Sequence, residues 1–120
     1  MTPRIILALV LDALVIAGFA ALGREQHDSG PAITGALETA WPFLIGGAVG
    51  WLVWWLARRS PALGLGGGAV VWLSTVVVGM ALRALTGQGT AFVFVLVTLG
   101  VTGAFLLGWR AVAFFIDRRR

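Results

Sequence analysis

The chain contains no cysteine, which excludes disulfides, thiolate metal sites and thiol nucleophiles. It contains no tyrosine and no lysine, so every base is an arginine. It has one histidine, His27, and a lone imidazole beside a few carboxylates is a poor start for a metal centre. Charge of either sign is scarce. Only 12% of the residues are charged, against about a quarter in an ordinary soluble domain. What fills the space is apolar: 59% of the 120 residues are hydrophobic and the mean hydropathy is +0.96. A soluble core of this size cannot hide so much apolar surface, whereas a bilayer solvates it. The net charge of +4 does not point to nucleic acid. The arginines cluster at the ends of apolar runs rather than along one surface, where they orient helices in a membrane.

Four apolar runs follow one another, approximately 5–23, 41–57, 64–83 and 91–116. Each is near the 20 residues or so that cross a hydrocarbon layer of roughly 30 Å. The first could be read as a cleaved signal, with Gly18-Phe19-Ala20 as a small-x-small site. Its length, the acid Asp12 in its middle and the spans after it argue against that. Between the first two runs lies the longest polar interval, Arg24 to Thr39, in which Ser29-Gly30-Pro31 breaks any continuing helix. Ile33 to Glu38 is expected to form a short interfacial turn of helix, and Pro42 to fall in the first turn of the second span, where its missing N–H costs little. Arg58-Arg59-Ser60-Pro61 is a tight basic turn, and Gly66-Gly67-Gly68 opens the third span with a weakened or closely packed helix end. The expected fold class is an all-α integral membrane four-helix bundle in one transmembrane domain. No internal repeat is visible.

With four spans, Arg4, Arg58, Arg59, Arg118, Arg119 and Arg120 share one side, and Arg24 and Arg83 the other. The positive-inside rule then places both termini in the cytoplasm of a plasma-membrane protein. It also makes anionic headgroups at the basic rim the expected lipid partner, with either a second copy or another membrane protein as the expected protein partner and no cofactor. The motif Trp41-Pro42-Phe43 and the pair Trp54-Trp55 fit the aromatic belts of opposite interfaces, and Trp51 and Trp72 are candidates to line a cavity. Small residues spaced by four, Gly46 and Gly50 on the second span and Gly100, Ala104 and Gly108 on the fourth, allow close helix approach. They fit packing inside the bundle or a dimer interface.

Two charge layers are candidate sites. Asp12 lies about 12 Å along the helix from Arg4, and Arg110 about 9 Å from Ile116, so the two are at similar depth inside the hydrocarbon. An acid there costs about 3 kcal/mol on insertion scales, so it needs a partner. Asp12 and Arg110 are expected to meet across the bundle. Three roles stay open for them: a structural ion pair, an ion- or proton-coupled site, or a snorkelling arginine beside a protonated acid. At the other end Arg24, His27 and Asp28 share a helix face if the first helix persists a turn beyond Gly23. Arg83 closes the third span at that level. That cluster is either a salt-bridged helix end or a small binding or proton-sensing mouth.

Gly23-Arg24-x-x-His27, Ala40-Trp41-Pro42-Phe43-Leu44, Gly79-Met80-x-Leu82-Arg83, Phe92-Val93 and Gly108-Trp109-Arg110 occur in an order that resembles the domain of unknown function 3054 family, small multi-pass membrane proteins of actinobacteria and some archaea. The likeness runs from Asp12 to Arg110. It implies a four-helix membrane protein and assigns no activity. Four spans with an acid in the first also look like the small multidrug resistance transporters, but the strong arginine bias and the absence of that family's motifs depart from them. The first functional expectation is therefore a small transporter or channel with an embedded Asp–Arg pair. The alternative is a non-catalytic scaffold or accessory subunit binding lipid or a partner protein. No enzyme is expected: there is no dense aspartate motif, no Ser–His pair at useful spacing and no cysteine for an intramembrane enzyme acting on a lipid or isoprenoid.

Overall fold

A computed structural model describes residues 2–24 and 32–118, with the side chains of residues 23, 24, 32–34 and 36 outside the description. It contains α1 (Pro3–Arg24), α2 (Ala32–Arg58), α3 (Leu65–Leu85) and α4 (Phe92–Arg118), and no strand among the described residues. All four helices are long and apolar enough to cross a membrane. Their outward faces are as apolar as their inward ones: Leu14 is 62% exposed, Leu52 55%, Val77 65% and Phe105 60%, one on each helix. Water would not tolerate such a surface on a folded monomer.

Local chemistry sets the helix ends. Thr2 precedes Pro3 at the first helical position, and its hydroxyl and carbonyl accept from the backbone N–H groups of Ile5 and Ile6. α2 stops at Arg58: Arg59 adopts a left-handed backbone with φ of 53°, and Pro61 forbids continuation. α3 ends in a Schellman turn. Gly87, with φ of 77°, donates its N–H to the Ala84 carbonyl, and Gln88 donates to that of Arg83.

The second helix begins earlier than the apolar pattern suggests. It is continuous from Ala32, so residues 33–38 belong to it and Pro42 lies inside the helix, not in its first turn. Proline at that depth deprives the Glu38 carbonyl of its N–H partner. Membrane helices tolerate this where neighbouring groups or a polar cavity can serve the freed oxygen.

The helices form a ring in chain order. α2 and α3 pack most extensively, α1 and α4 least, and the diagonal pairs make no close backbone approach. The α2–α3 seam is tight because of glycine. A methyl group at Gly46 would sit 2.8 Å from the Thr75 carbonyl, and one at Gly50 2.7 Å from Val71 Cα. Ser74 donates its hydroxyl to the Gly46 carbonyl at 2.8 Å across this seam. The α4 ladder behaves differently. Ala104 is exposed, and nothing lies within 4 Å of where a methyl at Gly100 or Gly108 would point. Toward the end of the bundle that holds the α3–α4 loop, the core is Ile16 with the aromatic trio Phe19, Phe43 and Phe94, whose ring centroids are 5.9–6.2 Å apart. Gly79 makes room for the Phe43 ring.

Candidate functional site

Asp12 and Arg110 do meet. Their side chains are 6% and 0% exposed, and they form a two-pronged ion pair, Arg110 NH1 to Asp12 Oδ1 at 2.9 Å and NH2 to Oδ2 at 2.7 Å. A buried ion pair does not offset its own desolvation unless the remaining lone pairs and protons are also bonded. Here they are. The indole N–H of Trp51 on α2 donates to Asp12 Oδ2 at 2.8 Å, and that of Trp109 on α4 donates to Oδ1 at 2.8 Å. Each carboxylate oxygen thus accepts two hydrogen bonds.

The guanidinium is equally occupied. Arg110 Nε donates to the Ala62 carbonyl at 3.0 Å, NH2 makes a second bond to the same oxygen at 2.8 Å, and NH1 makes a second bond to Leu106 at 3.0 Å. With the two prongs on Asp12, all five N–H groups have acceptors. The acceptor at Ala62 exists because the α2–α3 connection turns sharply at Pro61, whose carbonyl takes the Leu63 N–H. Space for the arginine stem comes from α3: a methyl at Gly68 would lie 2.5 Å from Arg110 Cδ. The guanidinium carbon also stands 4.4 Å from the centre of the Trp109 ring. One node therefore draws on α1, α2, α4 and the α2–α3 turn by hydrogen bonds, and on α3 by close packing. It bridges the diagonals that the backbones leave apart.

Among the described residues, no buried side-chain nitrogen or oxygen lacks a hydrogen-bond partner, and no group of three or more His, Asp or Glu could hold a metal. The node is electroneutral and closed, with no free lone pair on the acid for a proton or cation.

The second charge layer, Arg24, His27, Asp28 and Arg83, is only partly described. Arg24 ends α1, its side chain lies outside the described residues, and so do Glu25, His27 and Asp28, so the expected cluster is untouched by the structure. Arg83 serves the α3–α4 loop. Its Nε donates to the Gly89 carbonyl at 2.9 Å, NH1 donates to Gln88 Oε1 at 2.9 Å, and its guanidinium lies 4.6 Å from the Phe94 ring centre. Of the Trp41-Pro42-Phe43 motif, Trp41 is at the surface, Pro42 is buried and Phe43 is in the core.

Sequence reading placed the ion pair but assigned Trp51 only as a candidate cavity liner and gave Trp109 no role. The signal was available: an indole N–H inside a bundle needs an acceptor, and Asp12 is the acid at that depth. Trp72 is likewise a donor, to the Leu99 carbonyl at 3.0 Å, its ring seated against Gly103.

Two cavities lie at opposite ends of the bundle, both bordered by α1 and α4. One of about 570 Å³, at the end holding Arg4 and Asp117, has Leu7, Leu63, Trp109 and Phe114 in its walls. The other, about 710 Å³, lies at the opposite end among Phe19, Glu38, Arg83, Phe94 and Val97.

Residues 9–113 match a family described as "Protein of unknown function (DUF3054)". No curated protein and no solved structure matches the chain.

Proposed function

The chain belongs to the DUF3054 family, and from that premise we propose that it is a plasma-membrane protein with both termini in the cytoplasm, acting as a non-catalytic scaffold or accessory subunit. One observation carries this reading. The only charges buried at mid-bundle among the described residues are fully engaged with each other and with fixed donors and acceptors. A coupling site must exchange its ion or proton, and this carboxylate has no vacant lone pair with which to do so. The arginine bias supplies the orientation.

A second reading, a small transporter, draws on a different observation: two cavities at opposite ends of the bundle, both bordered by α1 and α4. Passage between them would require the Asp12 node to open.

Reconstitution in liposomes separates the two. With a pH gradient and an entrapped pH dye, wild type, Asp12→Asn and protein-free liposomes are expected to leak protons at the same rate. A flux in wild type that vanishes in Asp12→Asn overturns the scaffold reading.

A further inference from the structure

The groove between α1 and α4 at the arginine-rich end has features that the closed node does not use. α1 and α4 form the loosest seam of the ring, and a cavity of about 570 Å³ lies against it at this end. The walls are Leu7, Leu63, Trp109, Phe114 and Ile116, and the floor reaches Arg110. All five N–H groups of Arg110 are engaged elsewhere, so the floor offers a ligand only apolar contact. The lining's exposed charged side chains are at the rim. There Arg4 shares one bond with Asp117, NH2 to Oδ2 at 3.1 Å, and both side chains remain largely exposed. Arg118, one residue on, lies 5.8 Å from the centre of the Phe114 ring that forms a wall. At this end of the bundle Arg4, Arg58, Arg59 and Arg118 face a single acid among the described residues, Asp117. The cavity is thus a largely apolar slot with a cationic lip.

We propose that this groove binds one anionic phospholipid, an acyl chain lying between α1 and α4 and the phosphate held at the Arg4–Arg118 rim. The charge at the rim decides the headgroup. Arg4 and Arg118 outnumber Asp117 there by one charge, so a phosphodiester without a compensating ammonium gains, whereas a zwitterionic headgroup brings its own cation toward the arginines. Each arginine near a membrane surface favours an anionic lipid by about fivefold. Shape decides the tail: the volume falls within the roughly 300–1,000 Å³ of pockets that enclose a small ligand, and the wall side chains are mostly apolar. The inference extends the scaffold reading by naming its lipid. Its readout is bound lipid rather than flux, so the two fail separately.

The full chain in non-ionic detergent micelles, titrated with phosphatidylglycerol or phosphatidylcholine, is read by native mass spectrometry. Wild type is expected to retain one phosphatidylglycerol in preference to phosphatidylcholine by about fivefold or more. Two variants fill the groove independently. Ala113→Phe adds bulk to the α4 wall. Gly64→Leu adds it from the α2–α3 turn, where a Cβ meets nothing within 4 Å and the backbone is extended, so the fold tolerates it. Each is expected to abolish retention of both lipids. Arg4→Gln is expected to leave the tail site and erase most of the headgroup preference, while Arg59→Gln, the same charge change outside the groove, keeps it. Equal retention of the two lipids by wild type overturns the proposal. So does phosphatidylglycerol bound as well by Gly64→Leu as by wild type, an Arg59→Gln effect as large as that of Arg4→Gln, or a two-chain mass in place of chain plus lipid.

Discussion

Asp12 is held by four donors from three side chains, and what each loss leaves behind sets its cost. Trp51→Phe keeps the ring and removes one N–H from Oδ2. A hydrogen bond to a charged group is worth about 1.5–3 kcal/mol, so a loss in that range is expected in reversible unfolding from mixed micelles. Trp109→Phe should cost a similar amount through Oδ1. Arg110→Lys keeps the charge but replaces a five-donor fork with three donors on a point charge. It cannot serve both carboxylate oxygens together with the Ala62 and Leu106 carbonyls. The expected loss exceeds that of either tryptophan variant, and an Arg110→Lys protein as stable as wild type would show that the fork geometry is irrelevant. At this scale the sequence was half legible. Helix rise alone put Asp12 and Arg110 at one depth, because both sit a countable distance from chain ends marked by arginine. The indole donors were not recognised: Trp51 reads equally well as a cavity liner, and tryptophan near a span end, such as Trp109, has a competing reason to be there as an interface anchor. Nothing in the order of residues says which face of α2 turns inward.

At the scale of elements, the glycines sort by what faces them. Gly46 and Gly50 let α2 lie against the α3 backbone, and Gly68 leaves the path of the Arg110 stem open. Gly50→Ala and Gly68→Ala are each expected to destabilise the bundle by about 1–3 kcal/mol, the usual cost of overpacking. Gly100→Ala, which meets nothing, is expected to be neutral or to stabilise by up to about 1 kcal/mol through helix propensity. Equal effects at positions 50 and 100, measured by the same unfolding assay, would contradict this sorting. Spacing by four is identical in the two ladders, so sequence could not tell them apart. The difference lies in rotational phase, which is set by the neighbours. The early start of α2 was hidden for a related reason: Glu38 and Thr39 interrupt the apolar run, and Pro42 reads as a start signal. The helix nevertheless runs through all three, with Pro42 buried against the bundle.

For the whole molecule, four antiparallel spans follow directly from the apolar runs, because a bilayer accepts little else. Sidedness is a separate claim, resting on arginine count alone. Since the chain has no cysteine of its own, Gln26→Cys should react with an impermeant maleimide on intact cells, and Ser60→Cys only after permeabilisation. The reverse pattern would invert the topology. The account turns on a claim about the bundle as a unit: one closed polar node, and not a conduit, joins helices whose diagonals have no backbone contact. The direct test is a double-mutant cycle on Asp12→Ala and Arg110→Ala, with unfolding free energies measured in mixed micelles. Each single change strands a buried charge and is expected to cost about 3–5 kcal/mol. The double variant, with no charge left unpaired, is expected to cost no more than the worse single change. Losses that simply add would mean that the two residues do not act on each other, and would contradict the account.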